Sequence, residues 1–193
     1  MTEARPERRR VTISDPQVMR ALAHPARMAI VEHLSAVEGG ATATECAEIA
    51  GLSPSATSYH LRELAKFGLV REAPGRGDAR ERVWEAVNAS YSVDAGPDAD
   101  PDTRAAEAAL VEAHLVRDAQ RVRDWLRRAP DEPREWYEAT WLSDSVLLLT
   151  AEELVEVNQA VQALIAPYRQ RARTDPPPGV RKVAMQYRAM PID

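Results

Sequence analysis

One cysteine, one phenylalanine and two lysines are all that this 193-residue chain holds of those residue types, and aromatic side chains make up only 5% of it. A lone thiol, Cys46, has no partner for an internal disulfide, and without a second cysteine nearby a thiolate metal cage lacks its ligands. No run of about 18 apolar residues is present to span a bilayer, and the Arg-rich N-terminus has no apolar signal core. A cytoplasmic protein without membrane insertion is therefore expected. Signatures of catalysis are missing as well. There is no Gly-rich phosphate loop after a strand, no HExxH, and no Ser, His and Asp set in an interpretable motif, so no enzyme and no cofactor are expected. Gly75-Arg-Gly-Asp78 reads as a turn and not as a dinucleotide fingerprint.

What is present is charge, unevenly placed. The formal net charge is -5, which taken alone disfavours a nucleic-acid partner, yet the first ninety residues are balanced and the acidic excess belongs to the rest. Between Ser53 and Arg82 the bases Arg62, Lys66, Arg71, Arg76, Arg80 and Arg82 outnumber the acids. Arg5, Arg8, Arg9 and Arg10 add a cluster upstream, either a solubilising tail or a phosphate-contacting arm.

Residues 1–14 are polar, charged and aperiodic, a basic disordered arm. Asp15-Pro16 is an N-cap and N1 pair opening a helix to about Ala23. A second helix starts at Pro25, with Met28, Ile30, Val31 and Leu34 at helical spacing, and Gly39-Gly40 ends it. Thr44 is read as the cap of a third helix that turns Ile49 and Ala50 inward and stops at Gly51. Ser53-Pro54 repeats the start signal for a fourth helix, ending at Gly68. Leu69–Ala73 and Arg80–Val87 read as two strands around the turn-forming 74–79 stretch.

Residues 95–101 have a linker composition. Beyond them a long amphipathic helix is expected over Thr103–Arg128, with Leu115, Ala119, Val122 and Leu126 on one face. Alternation predicts a strand in Trp136–Leu149, a capping box at Thr150 and Glu153 predicts a helix, and alternation again predicts a strand around 181–189. The expected domains are thus a DNA-binding domain over 15–92 and a dimerisation and sensor region over 103–193. The fold class is α+β, mainly α: an N-terminal winged helix-turn-helix with a C-terminal helical dimerisation region containing two strands.

The fourth helix carries the functional reading. Thr57, Leu61 and Leu64 would pack inward, leaving Ser55, Ser58, Tyr59, Arg62 and Lys66 outside. Short hydroxyls admit close approach to base edges, while Arg and Lys reach phosphates. Ser53 at the helix start and Arg76 and Arg80 in the wing complete the DNA-facing set. His60 flanks the inward stripe and could serve either DNA or a neighbouring backbone group; His24, at a helix start, reads as structural.

Ala21-Leu-Ala-His-Pro-Ala-Arg27, Ala43-Thr-Glu-Cys-Ala47, Gly51-Leu-Ser-Pro-Ser-Ala-Thr-Ser-Tyr-His-Leu-Arg-Glu-Leu64 and Gly68-Leu-Val70 together resemble the ArsR-type winged-helix regulators over residues 15–90. The likeness is to the metal-independent actinobacterial branch, in which a Gly-Arg-Gly-Asp wing precedes a Trp-bearing strand, here Arg82-Val-Trp84. The resemblance implies a homodimeric repressor with terminal helices at the interface and a palindromic double-stranded DNA operator. Metal-sensing members carry paired cysteines in the third helix, or a His and Asp cluster in the dimer helix. This chain departs from both patterns, with Cys46 alone and with only His114 beside Glu112 and Asp118, so no metal site is expected.

Trp125, Trp136, Tyr137 and Trp141 are either ordinary core or a candidate pocket for a small apolar effector. The alternative function, from a different class, is a winged-helix protein-interaction module that does not read DNA.

Overall fold

A computed structural model of the chain describes residues 11–75, 82–88, 91–168 and 177–192. These fall into two compact units, the first ending at Arg117 and the second running from Asp118.

In the first unit each helix begins where a short polar side chain satisfies the free amides of its opening turn. Asp15 Oδ1 accepts from the Gln17 amide at 2.7 Å and opens α1, Pro16–Leu22. His24 does the same for α2, Pro25–Ala36, its Nδ1 accepting from the Ala26 amide at 3.2 Å. The cap of α3, Ala43–Ala50, is Thr42 and not Thr44: Thr42 and Glu45 form a reciprocal capping box, and Thr44 is left exposed. Packed against its neighbours, α3 buries Cys46 and Ala47, while Ile49, expected inside, is 54% exposed. Gly51 closes α3 in the left-handed region at φ 65°, and Ser53 then caps α4, Pro54–Lys66.

Two short strands follow α4. Antiparallel β3, Val70–Ala73, and β4, Val83–Ala86, form the wing, and β2, Ala41–Thr42, adds to the other edge of β4. As the middle strand β4 buries all four residues, Trp84 included, so Trp84 is core. Buried Glu85 is held by Arg71 directly across the ladder at 2.6 Å. Residues 11–13, assigned to the arm from sequence, form β1, which pairs in parallel with β5, Tyr91–Val93. One core gathers Met19, Leu22, Ile30, Leu34, Leu61, Leu64, Val70 and Trp84.

Helix α5, Pro101–Arg128, starts in this unit and ends in the second. Asp100 holds its first turn through the amides of Asp102 and Thr103 and the Thr103 hydroxyl, contacts that lower the carboxyl's pKa. Ala106 and Leu110 enter the core cluster. Polar contacts also tie α5 to the first unit: Arg20 to Asp102 at 3.0 Å, the Ala95 amide to Glu107 at 2.9 Å, and Arg117 to Glu32. The stretch 95–101, linker-like by composition, is thus fastened to α5 from both ends.

In the second unit α5 gives way to a 3-10 turn, Ala129–Asp131, then α6, Arg134–Ala139, and α7, Ala151–Ile165, opened by the expected Thr150 and Glu153 capping box. Neither expected strand has a ladder among the described residues. Trp136–Ala139 is helical, while 141–149 and 180–192 run without regular structure. Alternation marks a segment able to form a strand, but a strand exists only with a hydrogen-bonded neighbour. Among the described residues neither segment has one.

Candidate nucleic-acid interface

Helices α3 and α4, joined at Gly51, form the helix-turn-helix, and α4 is anchored through buried Thr57, Leu61 and Leu64. Ser55, Tyr59, Arg62 and Lys66 are exposed and Ser58 is half-buried, so the polar face points away from the core. Ser53 spends its hydroxyl as the cap, accepting from the Ala56 amide at 3.2 Å. Lys66 is ion-paired with Glu63 one turn back, which lowers the Glu63 pKa; a phosphate would have to displace that partner. Arg82, at the base of the wing, meets Glu72 at 3.2 Å. Arg76 and Arg80 lie outside the described residues.

His60 sits against other rings. Its imidazole lies tilted against that of His24 with centroids 4.7 Å apart and meets Tyr59 edge-on at 5.5 Å, while Nδ1 is buried with no hydrogen-bond partner among the described residues. Burial, helped by the charges of His24 and Arg27, lowers its pKa, so the ring is neutral at neutral pH. His60 therefore supports the start of α2 against α4 and steadies Tyr59. This meeting has no local signature, because the two histidines belong to different helices. Helical spacing relates only residues on one helix.

The remaining sequence candidates are dispersed. On α5, Leu115 and Leu126 are 40% and 57% exposed, with Ala119 and Val122 half-buried. His114 donates from Nδ1 to the Leu110 carbonyl at 2.8 Å, which leaves Nε2 to accept from the Tyr91 hydroxyl at 3.0 Å. Burial pushes that hydroxyl up to about 12. Asp118, proposed beside His114, is instead engaged by Arg188 and Arg121. Burial likewise pushes the Cys46 thiol up to about 11, leaving it protonated. Among the described residues no group of three His, Cys, Asp or Glu side chains is arranged to hold a metal ion.

Of the aromatic set, Trp125 and Trp136 each lie under a guanidinium, that of Arg128 at 5.4 Å and that of Arg181 at 4.8 Å. Tyr137 and Trp141 are 57% and 84% exposed, so one chain does not enclose the set as a pocket. An open cleft of about 210 Å³, missed from sequence, lies at the end of α4, lined by Ile13, Val18, Val31, Phe67, Leu69 and Tyr91 among others. Its walls come from distant parts of the chain.

Residues 22–73 match a family described as a helix-turn-helix domain (HTH_20). No curated protein matches the chain. Three solved structures are similar in part. A double mutant of Lactococcus lactis ZitR in apo form is 16% identical over 76% of this chain and 83% of that one, with a TM-score of 0.33. A Mycobacterium tuberculosis MarR family protein in complex with salicylic acid is 19% identical over 78% and 87%, with a TM-score of 0.29. The zinc-dependent MarR family regulator AdcR in its Zn(II)-bound state is 12% identical over 87% and 79%, with a TM-score of 0.26. Likeness at that level carries no argument here. The family match and the geometry of α3, α4, β3 and β4 agree: the first unit contains a helix-turn-helix domain with a wing, the fold used by DNA-binding transcription regulators.

Proposed function

We propose that the chain is a homodimeric, sequence-specific transcription regulator of the ArsR type, a repressor without a metal-sensing site, which reads a palindromic operator with α4. The observation that carries this reading is the outer face of α4: exposed Ser55 and Tyr59 with half-buried Ser58 near its start, exposed Arg62 and Lys66 near its end. A helix entering the major groove needs short donors and acceptors where it meets base edges, and positive charge where it leaves the groove past the phosphates. The uncovered stripe of Leu115, Ala119, Val122 and Leu126 on α5 supports dimerisation. A palindrome requires two reading helices about 34 to 36 Å apart, which a two-fold pair supplies. In the same reading, Trp125, Trp136, Tyr137 and Trp141 are where a small apolar effector would act on the dimer.

The test is binding of the full chain to the DNA upstream of its own gene and to random duplex, measured by anisotropy across a salt series. Tight binding to one upstream site, falling steeply with salt on both DNAs, is expected because phosphate neutralisation releases counterions. Salt-independent binding, or none, would overturn the reading in favour of a protein-interaction module.

A further inference from the structure

Three buried side-chain polar atoms lack a hydrogen-bond partner among the described residues, and all three belong to α2 or α4: Nε of Arg27, Oγ1 of Thr57 and Nδ1 of His60. A buried polar atom left unpaired is a cost the fold carries, so the contact between these two helices is one that a small change can open. The rings of His24, His60 and Tyr59 meet at this contact, His60 against His24 at 4.7 Å and against Tyr59 at 5.5 Å.

Tyr59 is the largest side chain on the outer face of α4 and is 50% exposed. Residues one apart on a helix do not ordinarily face each other. An edge contact between the rings at 59 and 60 therefore requires the Tyr59 ring to lie back along the helix toward His60. His60 is backed in turn by His24, whose ring is fixed by its own bond, Nδ1 accepting from the Ala26 amide at 3.2 Å. A chain of three rings thus runs from the start of α2 to the reading face.

That arrangement suits only a neutral His60. An imidazolium carries N–H on both nitrogens, so a proton added to the ring would bury an Nδ1–H that has no acceptor among the described residues. It would also place a charge near Arg27, whose Nη1 donates to the Ala21 carbonyl at 3.2 Å. Glu63 favours the charged ring, but Lys66 already holds it. Arg20 of α1, Glu45 and Glu48 of α3, and Arg71 and Glu72 of β3, on the other elements packed against α4, leave this balance unchanged.

We propose that His24 and His60 are positioning residues for Tyr59, and that a proton on His60 releases it, so that discrimination between operator and random duplex is lost as pH falls through the histidine range. This rests on the DNA-reading function above and adds to it which residues set the reading side chain and what undoes the setting. A histidine that is neutral in the positioned conformer and titrates at 6.5 in the released one favours release by at most about tenfold more at pH 5.5 than at pH 7.5.

The test is anisotropy of the full chain on its upstream site and on random duplex at pH 7.5, 6.5 and 5.5, at one ionic strength and well below the melting temperature. The ratio of the two affinities should fall about three- to tenfold across that range. His60→Phe keeps a ring beside His24 and Tyr59 with no nitrogen to protonate, so it should hold the pH 7.5 ratio within about threefold and keep it flat to pH 5.5. His24→Asn keeps an acceptor for the Ala26 amide but removes the backing ring. It should melt nearly as the unaltered chain does, with a ratio already several-fold lower at pH 7.5. A ratio that ignores pH, or that falls equally in His60→Phe, overturns the positioning role and leaves the reading of DNA standing. Affinities for both duplexes that rise together on acidification, with the ratio unchanged, make His60 a phosphate contact and also overturn it. A chain that binds neither duplex overturns both. If His60→Phe does not fold, His24→Asn decides: with Tyr59 already released, its ratio should no longer depend on pH.

Discussion

At Gly40 the chain passes from α2 toward β2 with φ at +76°, and a Cβ there would lie 2.3 Å from the Trp84 carbonyl oxygen. Gly40→Ala therefore adds a backbone clash to left-handed strain and should cost about 2 to 4 kcal/mol in chemical denaturation. Gly39 has φ of +75° and nothing within 4 Å, so Gly39→Ala should cost only about 1 kcal/mol. Equal losses would show that close approach to Trp84 is irrelevant. His60 makes a pH prediction. Its folded pKa is lowered from 6.5 by burial first, then by His24 and Arg27, with Glu63 opposing. The unfolded chain thus binds this proton at a higher pH than the folded one, so stability is lost as pH falls below the ordinary histidine value. Melting curves between pH 8 and pH 5 should show that decline, and His60→Gln should flatten it; an unchanged slope would clear His60. On the reading face, Ser55→Ala, Ser58→Ala or Tyr59→Ala should each remove about 1 to 3 kcal/mol of discrimination between operator and random duplex. Arg62→Ala should weaken binding to both and reduce the salt slope by about one unit. Lys66→Ala should do less, since Glu63 already holds its ammonium.

At the scale of elements, α5 divides along its length. Its first turns bury Thr103, Ala106 and Leu110, whereas from Val111 onward its large apolar residues are exposed or half-buried. One helix thus belongs to a core at one end and carries an uncovered stripe toward the other. Leu110→Ala should open a cavity and cost about 2 to 5 kcal/mol. Leu115→Asp combined with Val122→Asp should leave the melting of the first unit nearly unchanged, yet yield a monomer by sedimentation with greatly weakened operator binding. If the double substitution remained dimeric, the α5 stripe would not be a seam. Helix α4 shows why some elements were legible. Its cap, its first proline, its inward stripe and the glycine after it all lie within one short stretch, and each acts over four residues or fewer.

At the scale of the whole molecule, regulation by an apolar ligand is expected to be separable from any response to metal. The Cys46 thiol is protonated, and His114 is held between Leu110 and Tyr91. Titration with Zn²⁺ should leave operator affinity unchanged, whereas an apolar metabolite from a screened panel should alter both affinity and tryptophan emission. An effector need favour one dimer state only some tens of times over the other, about 2 kcal/mol of coupling. Stoichiometric tight Zn²⁺ binding that releases DNA would reverse this expectation. A ligand that shifts affinity without touching tryptophan emission would point to the cleft beside Phe67, whose lining holds no tryptophan.

Local chemistry made several helix starts readable before any tertiary contact was known. Asp15-Pro16, Ser53-Pro54 and the Thr150 to Glu153 box are complete signals within four residues, and the periodicity of α2, α4 and α5 needs no knowledge of a partner. The sequence by itself thus determined where most helices begin and which residues α4 turns outward. Tertiary structure decided the rest. Parallel pairing of β1 with β5 depends on a segment far along the chain. Which half of α5 is buried depends on Glu32, Arg20 and Tyr91 arriving beside it. Thr42 displaced Thr44 as the α3 cap, and the same Thr42, with Ala41, pairs with β4. Where alternation alone predicted strands, within Trp136–Leu149 and around 181–189, no ladder forms among the described residues, because a strand is a relation between two backbones and needs a neighbour to complete it.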